Sequence, residues 1–250
     1  MIAIFGAIFF LLFRFITFET DDASELLNQV KIGSATKRWQ AAYELSKVLN
    51  NPKTIPSDIS FKSQMISSYK HSINDDPLVR AYLAIAMGAT GDSFYSKELI
   101  VGLKDDSRES RLAAIQAVGM VKAKNALPEL AKIVKISDYQ DERLAATMSI
   151  GFIGDNSSIP LLNNLLEDDE PNIRWDAAVA LAKMGEKSSV PIIENLMDRE
   201  YLSSFPQLDY KEVNNVLLIA IEASKMIRDN RFESKLNILA ESDENLKIRD

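Results

Sequence analysis

Four arginines recur at a nearly constant interval along this chain: Arg80, Arg111, Arg143 and Arg174, separated by 31, 32 and 31 residues. Five residues before each stands an aspartate: Asp75, Asp106, Asp138 and Asp169. A fixed period of this length argues against a single globular core. It marks small units that each bury an apolar face only on their neighbours. The sequence between the arginines says what each unit is. AYLAIAMGATGD, LAAIQAVGMVKA, LAATMSIGFIGD and WDAAVALAKMGE follow the four arginines, with apolar residues at helical spacing. Gly91, Gly154 and Gly185 then fall at equivalent places, where a left-handed helix end costs glycine little.

A second helical stretch follows each turn: SFYSKELIVGL, KNALPELAKIV, SSIPLLNNLL and SSVPIIENLM. Pro128, Pro160 and Pro191 lie in its first turn, where a missing N–H is no loss, and Asn125, Ser157 and Ser188 just ahead are the expected N-caps. No segment carries a strand signal. The expected fold class is all-α: an α-solenoid (α-α superhelix) of helical hairpins, preceded by an N-terminal hydrophobic helix.

The pattern extends beyond these four units. Lys37-Arg38-Trp39-x-Ala41-Ala42 repeats Ile173-Arg174-Trp175-x-Ala177-Ala178, so the array is expected to fill residues 19–250. Its units run over about 34–73, 75–104, 106–136, 138–167, 169–199 and 209–241, with a partial unit at 244–250. In the first, Gly33 stands at the aspartate's place and NNPKTIPSDIS lengthens the turn. A second insert, REYLSSFPQLDY, precedes the degenerate unit, in which Lys211 is placed near the arginine and Pro206 at the aspartate. Glu244-NLKI-Arg249 starts the pattern once more, so the last unit is expected to be cut or shortened.

These units resemble HEAT-like repeats of the bacterial type named for phycobilisome lyases, with the form D-x-x-x-x-V-R-x-x-A-x-x-A-L-G-x-x-G. The resemblance covers nearly all of residues 34–250. It implies a binding scaffold whose second helices line a concave face. It also leaves an alternative, a lyase or lyase-chaperone for a bilin-type or other tetrapyrrole cofactor. The hydrophobic lead and the two inserts lie outside the family pattern.

Residues 1–18 read MIAIFGAIFFLLFRFITF, with Arg14 as the only charge. As a helix they would reach roughly 27 Å, enough to cross a hydrocarbon core, and they are expected to form a transmembrane anchor. A cleaved signal peptide is the alternative, although neither a basic n-region nor a small-x-small cleavage site is visible. Arg14 and Lys31 both lie on the C-terminal side, which by the positive-inside rule places the repeats in the cytoplasm.

Composition narrows the chemistry. A net charge of −7 argues against binding duplex nucleic acid, and the absence of cysteine excludes disulfides, thiolate metal sites and cysteine nucleophiles. His71 is the only histidine, so a His-rich metal site is not expected. No catalytic, cofactor or metal residue is proposed from the sequence, and the Asp–Arg columns are read as a structural ladder. The acidic clusters Asp105-Asp106 and Asp168-Asp169-Glu170 are read as helix caps rather than calcium ligands.

Candidate partner contacts fall on equivalent positions of the second helices: Ile100/Val101, Ala131/Lys132, Asn163/Asn164 and Glu194/Asn195. The second insert adds Tyr201, Phe205 and Tyr210, which either anchor a partner or fold back over the next unit. The expected function is a non-catalytic, membrane-anchored scaffold that binds a protein or peptide.

Overall fold

The computed structural model describes residues 22–249, among which every regular element is helical. The hydrophobic helix expected at residues 1–18 lies outside the described residues. Among the described residues no helix is long and apolar enough to cross a membrane. The chain divides into two compact units, Met1–Thr90 and Gly91–Asp250.

The first unit contains α1 (Ala23–Ile32), α2 (Ala35–Val48), α3 (Ile59–His71) and α4 (Pro77–Ala89). Helix α2 packs against both α1 and α4. Leu27, Leu45, Met65, Tyr69, Leu83 and Met87 are fully buried in this unit. The Asp22 carboxylate starts α1 by accepting from the N–H groups of Ser24 and Glu25 at 2.8 and 3.0 Å. The first insert ends at Asp58, which caps α3 by accepting from Phe61 N at 2.7 Å.

The second unit runs α5 (Ser96–Gly102), α6 (Arg108–Met120), α7 (Leu127–Ile136), α8 (Gln140–Ile153), α9 (Ile159–Leu165), α10 (Pro171–Lys183) and α11 (Val190–Leu196). Then come α12 (Arg199–Ser203), α13 (Tyr210–Ile227), α14 (Glu233–Ser242) and the short α15 (Leu246–Arg249). The first helices of successive repeats, α6, α8, α10 and α13, pack side by side. Each second helix (α5, α7, α9 and α11) packs on the first helix of the following repeat.

Small residues set how closely the first helices pass. Ala113, Ala114, Ala145, Ala146, Ala177 and Ala178 are all buried. A Cβ on Gly119 of α6 would lie 2.7 Å from the Ser149 hydroxyl of α8, and one on Gly151 would lie 2.8 Å from Cβ of Ala180 in α10. At both crossings one helix backbone replaces what would be a side chain.

The turn after each first helix fixes the register. Gly91, Lys122, Gly154, Gly185 and Arg228 have φ of 64°, 52°, 62°, 79° and 53°, the left-handed region. Counting back eleven residues from the first four gives Arg80, Arg111, Arg143 and Arg174. Counting back from Arg228 gives Leu217, which is buried, whereas Lys211 is exposed. Lys211 therefore does not hold the arginine's place in the degenerate repeat; it stands six residues earlier.

A short 3-10 turn leads into each second helix. Asp92, Asp155 and Asp229 cap three of these turns, accepting from Phe94, Ser157 and Arg231 N–H at 2.9, 3.0 and 3.1 Å. Asn125, Ser157 and Ser188 lie inside the turns, so they are not the caps expected of them. The two turns without such an aspartate carry Lys124 and Lys187 instead. These reach the caps of the following repeats, Asp155 at 3.0 Å and Asp229 at 3.9 Å.

Candidate functional site

Each arginine of the ladder first reaches back to a carbonyl at the C-terminal end of the second helix before it. Arg38 donates to Val30 O at 2.7 Å, Arg80 to Tyr69 O at 2.6 Å and Arg143 to Val134 O at 2.9 Å. Arg111 and Arg174 do the same one loop later, to Asp105 O and Asp168 O, both at 2.6 Å. The last carbonyls of a helix have no partner within it and carry its negative end, so a guanidinium there satisfies both needs. Arg80 is buried and also stacks on the Tyr69 ring at 4.2 Å.

Arg38, Arg111 and Arg143 also bind an acid of the next repeat, and here the expected column is displaced. Asp75 does pair, but with Arg38. Asp106, Asp138 and Asp169 are exposed, and their carboxylates pair with no arginine among the described residues. The working position lies six residues before the arginine, at Asp105, Ser137, Asp168 and Asp243. There the side chain accepts from the N–H two residues on, at 3.0, 3.2, 3.0 and 2.8 Å, and so closes the turn that leads into the next helix. Its second oxygen faces inward, as where Asp168 accepts from Arg143 at 2.5 Å. The residue one step later points to solvent, which is why Asp106, Asp138 and Asp169 fail as partners.

Ser137 cannot bind a guanidinium in this way, and Glu142 replaces it. This carboxylate is 3% exposed and accepts from Arg111 Nε and Nη2 at 3.0 and 2.7 Å, while Ser137 Oγ donates to its other oxygen at 2.8 Å. The equivalent positions in two other repeats hold buried Val79 and Ile173. A second repair occurs at the insert. With Leu217 at the arginine place, Arg199 of α12 supplies the guanidinium, donating to both oxygens of Asp243 at 2.7 and 2.8 Å and to Asn214 Oδ1 at 2.7 Å. That hydrogen bonding holds the Asp243 carboxyl below the usual carboxylate range.

With the ladder consumed in holding the repeats together, the side chains left to meet a partner lie on the second helices. Lys132, Asn164 and Asn195 are exposed at one equivalent position, together with Val101 before them and Ile238 of α14 after them. Lys132 contacts only Glu129 of its own helix, at 3.2 Å. Asn163 and Glu194, one residue earlier, are half-buried, and the Asn163 amide donates to Ile159 O at 3.0 Å. That leaves Asn164 and Asn195 as the asparagines with amides directed outward.

The sequence matches the family of HEAT repeats over residues 71–151 and 137–203, together more than half of the chain. The chain belongs to the HEAT-repeat family. Similar solved structures cover most of it. The complex of CpcE and CpcF of phycocyanin lyase from Nostoc matches with a TM-score of 0.59 and 19% identity, covering 86% of this chain and 92% of that one. An engineered protein matches with a TM-score of 0.54 and 17% identity over 82% of this chain and 97% of that one. A designed armadillo repeat protein in complex with a (KR)4 peptide matches with 0.51 and 16% over 82% and 99%. At these identities the likeness is one of fold. No curated protein matches the chain in sequence.

Against the regular HEAT grammar, the second insert is spent on packing. Tyr201 and Phe205 form edge contacts with Trp175 of α10, at ring centroid distances of 6.5 and 4.8 Å, and with each other at 5.2 Å. Both join the core around Leu196, Leu202 and Leu217. They are thus not free to anchor a partner, because the insert folds back over the next repeat. Tyr210 at the start of α13 stays 58% exposed, with Arg199 over its ring at 5.9 Å.

Two features escaped the sequence reading. Arg199 carries no motif of its own, and only the missing arginine at Leu217 could have signalled it. Asp176 of α10 is half-buried and has no hydrogen bond or ion pair among the described residues. Burial raises its carboxyl to about 6, partly opposed by Lys183. His71 is exposed at the last residue of α3, its Nδ1 2.7 Å from Ser67 O.

Proposed function

We propose that this HEAT-repeat protein is a non-catalytic interaction scaffold that takes a protein or peptide segment along its second-helix face. Residues 1–18 hold it at a membrane, with the repeats on the cytoplasmic side. The observation that carries the proposal is the row Lys132, Asn164 and Asn195, exposed at one equivalent position with neither asparagine amide bonded among the described residues, while arginines such as Arg111 and Arg143 are committed inside the stack. Two neutral amides beside a lysine that is paired with Glu129 suit an extended backbone better than a phosphate. The peptide held by the designed armadillo protein supports this by analogy of fold alone. The lyase alternative rests on a likeness of fold at 19% identity and on no residue of this chain.

A photo-crosslinking side chain placed at Lys132 tests the reading. One discrete adduct is expected, reduced about tenfold by Asn164→Ala with Asn195→Ala. Equal adducts from a crosslinker at Lys211, or full adduct with the double variant, would overturn it. A bilin absorption band that stays with the purified chain after unbound pigment is removed would favour the lyase alternative instead. Because the chain has no cysteine, a Ser24→Cys variant reports topology. In intact cells it should resist a membrane-impermeant maleimide; prompt labelling refutes the cytoplasmic placement.

A further inference from the structure

Between α8 and α10 lies a cleft of about 60 Å³, walled by Met148 and Phe152 on one side and by Val179 and Lys183 on the other, with Asp176 in its wall. The contact of Gly151 with Ala180 brings the two helices together in this cleft. Met148 and Phe152 are 44% and 53% exposed, so the rim is apolar and open to solvent. Among the described residues Asp176 accepts no hydrogen bond and makes no ion pair. Its nearest cation is Lys183, two turns along the same helix, whose Nζ rests over the Phe152 ring at 5.7 Å instead. A carboxylate withdrawn from water without a partner is costly, and packing alone gives no reason to keep one here.

We infer that this cleft is a binding site for a lysine side chain of a protein partner, its ammonium paired with Asp176 and its methylenes laid between Met148, Phe152 and Val179. The geometry favours this occupant over a lipid surface. Acyl chains would cover the apolar rim but leave the carboxylate unpaired in a still drier setting, whereas a lysine brings both the stem and the missing charge. The volume holds an ammonium and a methylene or two, being about that of two water molecules. Phe152 offers a ring face beside the incoming cation, and Lys183 is the charge that must stay at the rim. The raised carboxyl of Asp176 agrees with a group poised for a cation that is absent.

This site lies on first helices, so it stands apart from the second-helix face and can fail independently of it. The test pans a phage-displayed library of random peptides against the full-length chain at pH 7.5, with Asp176→Asn as the counter-target. Asparagine keeps the shape and removes the buried charge, so the variant should melt no lower than the parent, and lost binding then reports the site. Peptides enriched on the parent are expected to carry a lysine flanked by apolar residues. Replacing that lysine by norleucine, or Asp176 by Asn, should weaken them about tenfold or more. Binding should also fade below about pH 6, where Asp176 takes up a proton; Lys183 is the other charged residue lining the cleft. Asn164→Ala with Asn195→Ala should leave these peptides unaffected. Equal enrichment on parent and Asp176→Asn, or norleucine peptides that bind as well, overturns the inference.

Discussion

The substitution of Ser137 and Glu142 for an aspartate can be undone, and that gives the sharpest test of how these repeats are joined. Glu142→Val restores the aliphatic residue found at Val79 and Ile173 but strips Arg111 of its carboxylate. Arg111 is 20% exposed and keeps its bond to Asp105 O, so the loss falls short of that for a fully buried pair. A cost of about 2–4 kcal/mol follows. Ser137→Asp alone adds a second carboxylate beside Glu142 and should cost about 1 kcal/mol by like-charge repulsion. The two changes together recreate the arrangement in which Asp168 closes the turn before a helix and binds Arg143, and should return to within about 1 kcal/mol of the parent. The coupling is therefore at least about 2 kcal/mol and favourable. Urea unfolding followed by circular dichroism gives the energies. Repeat arrays need not unfold all at once, so hydrogen exchange of amides in α6 and α8 locates the loss at this junction. If Glu142→Val unfolds with the parent, or the double variant is no better than the sum of its parts, the staple is not what joins these repeats.

Three further outcomes follow from the same geometry. Arg199→Ala leaves Asp243 and Asn214 without their donor and should cost about 2–3 kcal/mol, with exchange rising in α13 and α14; exchange confined to α12 would show that the insert is only a surface loop. Gly119→Ala drives a methyl into Ser149 and should lower stability by about 1–3 kcal/mol, whereas Gly154→Ala, strained through its φ of 62° rather than crowded, should cost about 1 kcal/mol. Asp176 has a folded-state carboxyl raised to about 6 from 3.8, so the native state binds the proton more tightly and stability rises as pH falls from about 6 towards 4. At neutral pH Asp176→Asn should therefore stabilise the chain by about 1–3 kcal/mol and flatten that pH dependence; a destabilised variant would show that the carboxylate has a partner.

Helical type, hairpin order and the period were legible because they rest on local patterns. Alanines at helical spacing and glycines at left-handed ends mark each hairpin wherever it sits. Pairing across repeats was less legible, since it depends on which side of the chain a loop residue faces. Asp105 and Asp106 are indistinguishable in sequence, yet one closes the turn before a helix and the other faces solvent. Periodicity pointed to the wrong residue in the degenerate repeat because the insert shifts the count, and only the left-handed Arg228 restores it. Tyr201 and Phe205 could be read either as anchors or as packing, because an aromatic residue serves both and only Trp175 decides between them.

Where partner recognition can reside follows from what the ladder leaves over. An arginine that holds a carbonyl behind it and a carboxylate ahead of it has few donors to spare, so each turn of the stack consumes the charges that would otherwise attract a ligand. The two repairs, Glu142 for Ser137 and Arg199 for the missing arginine at Leu217, show the junction chemistry kept even where the sequence pattern lapses. Recognition must therefore use groups that no junction needs. Asn164 and Asn195 meet that condition by pointing outward from short helices whose buried sides are apolar. Asp176 meets it more strongly, because an unpaired carboxylate between apolar walls opposes folding and a cation from outside would reverse the sign of its contribution. A partner bound there would gain its ion pair and also relieve a strain the free protein carries at neutral pH.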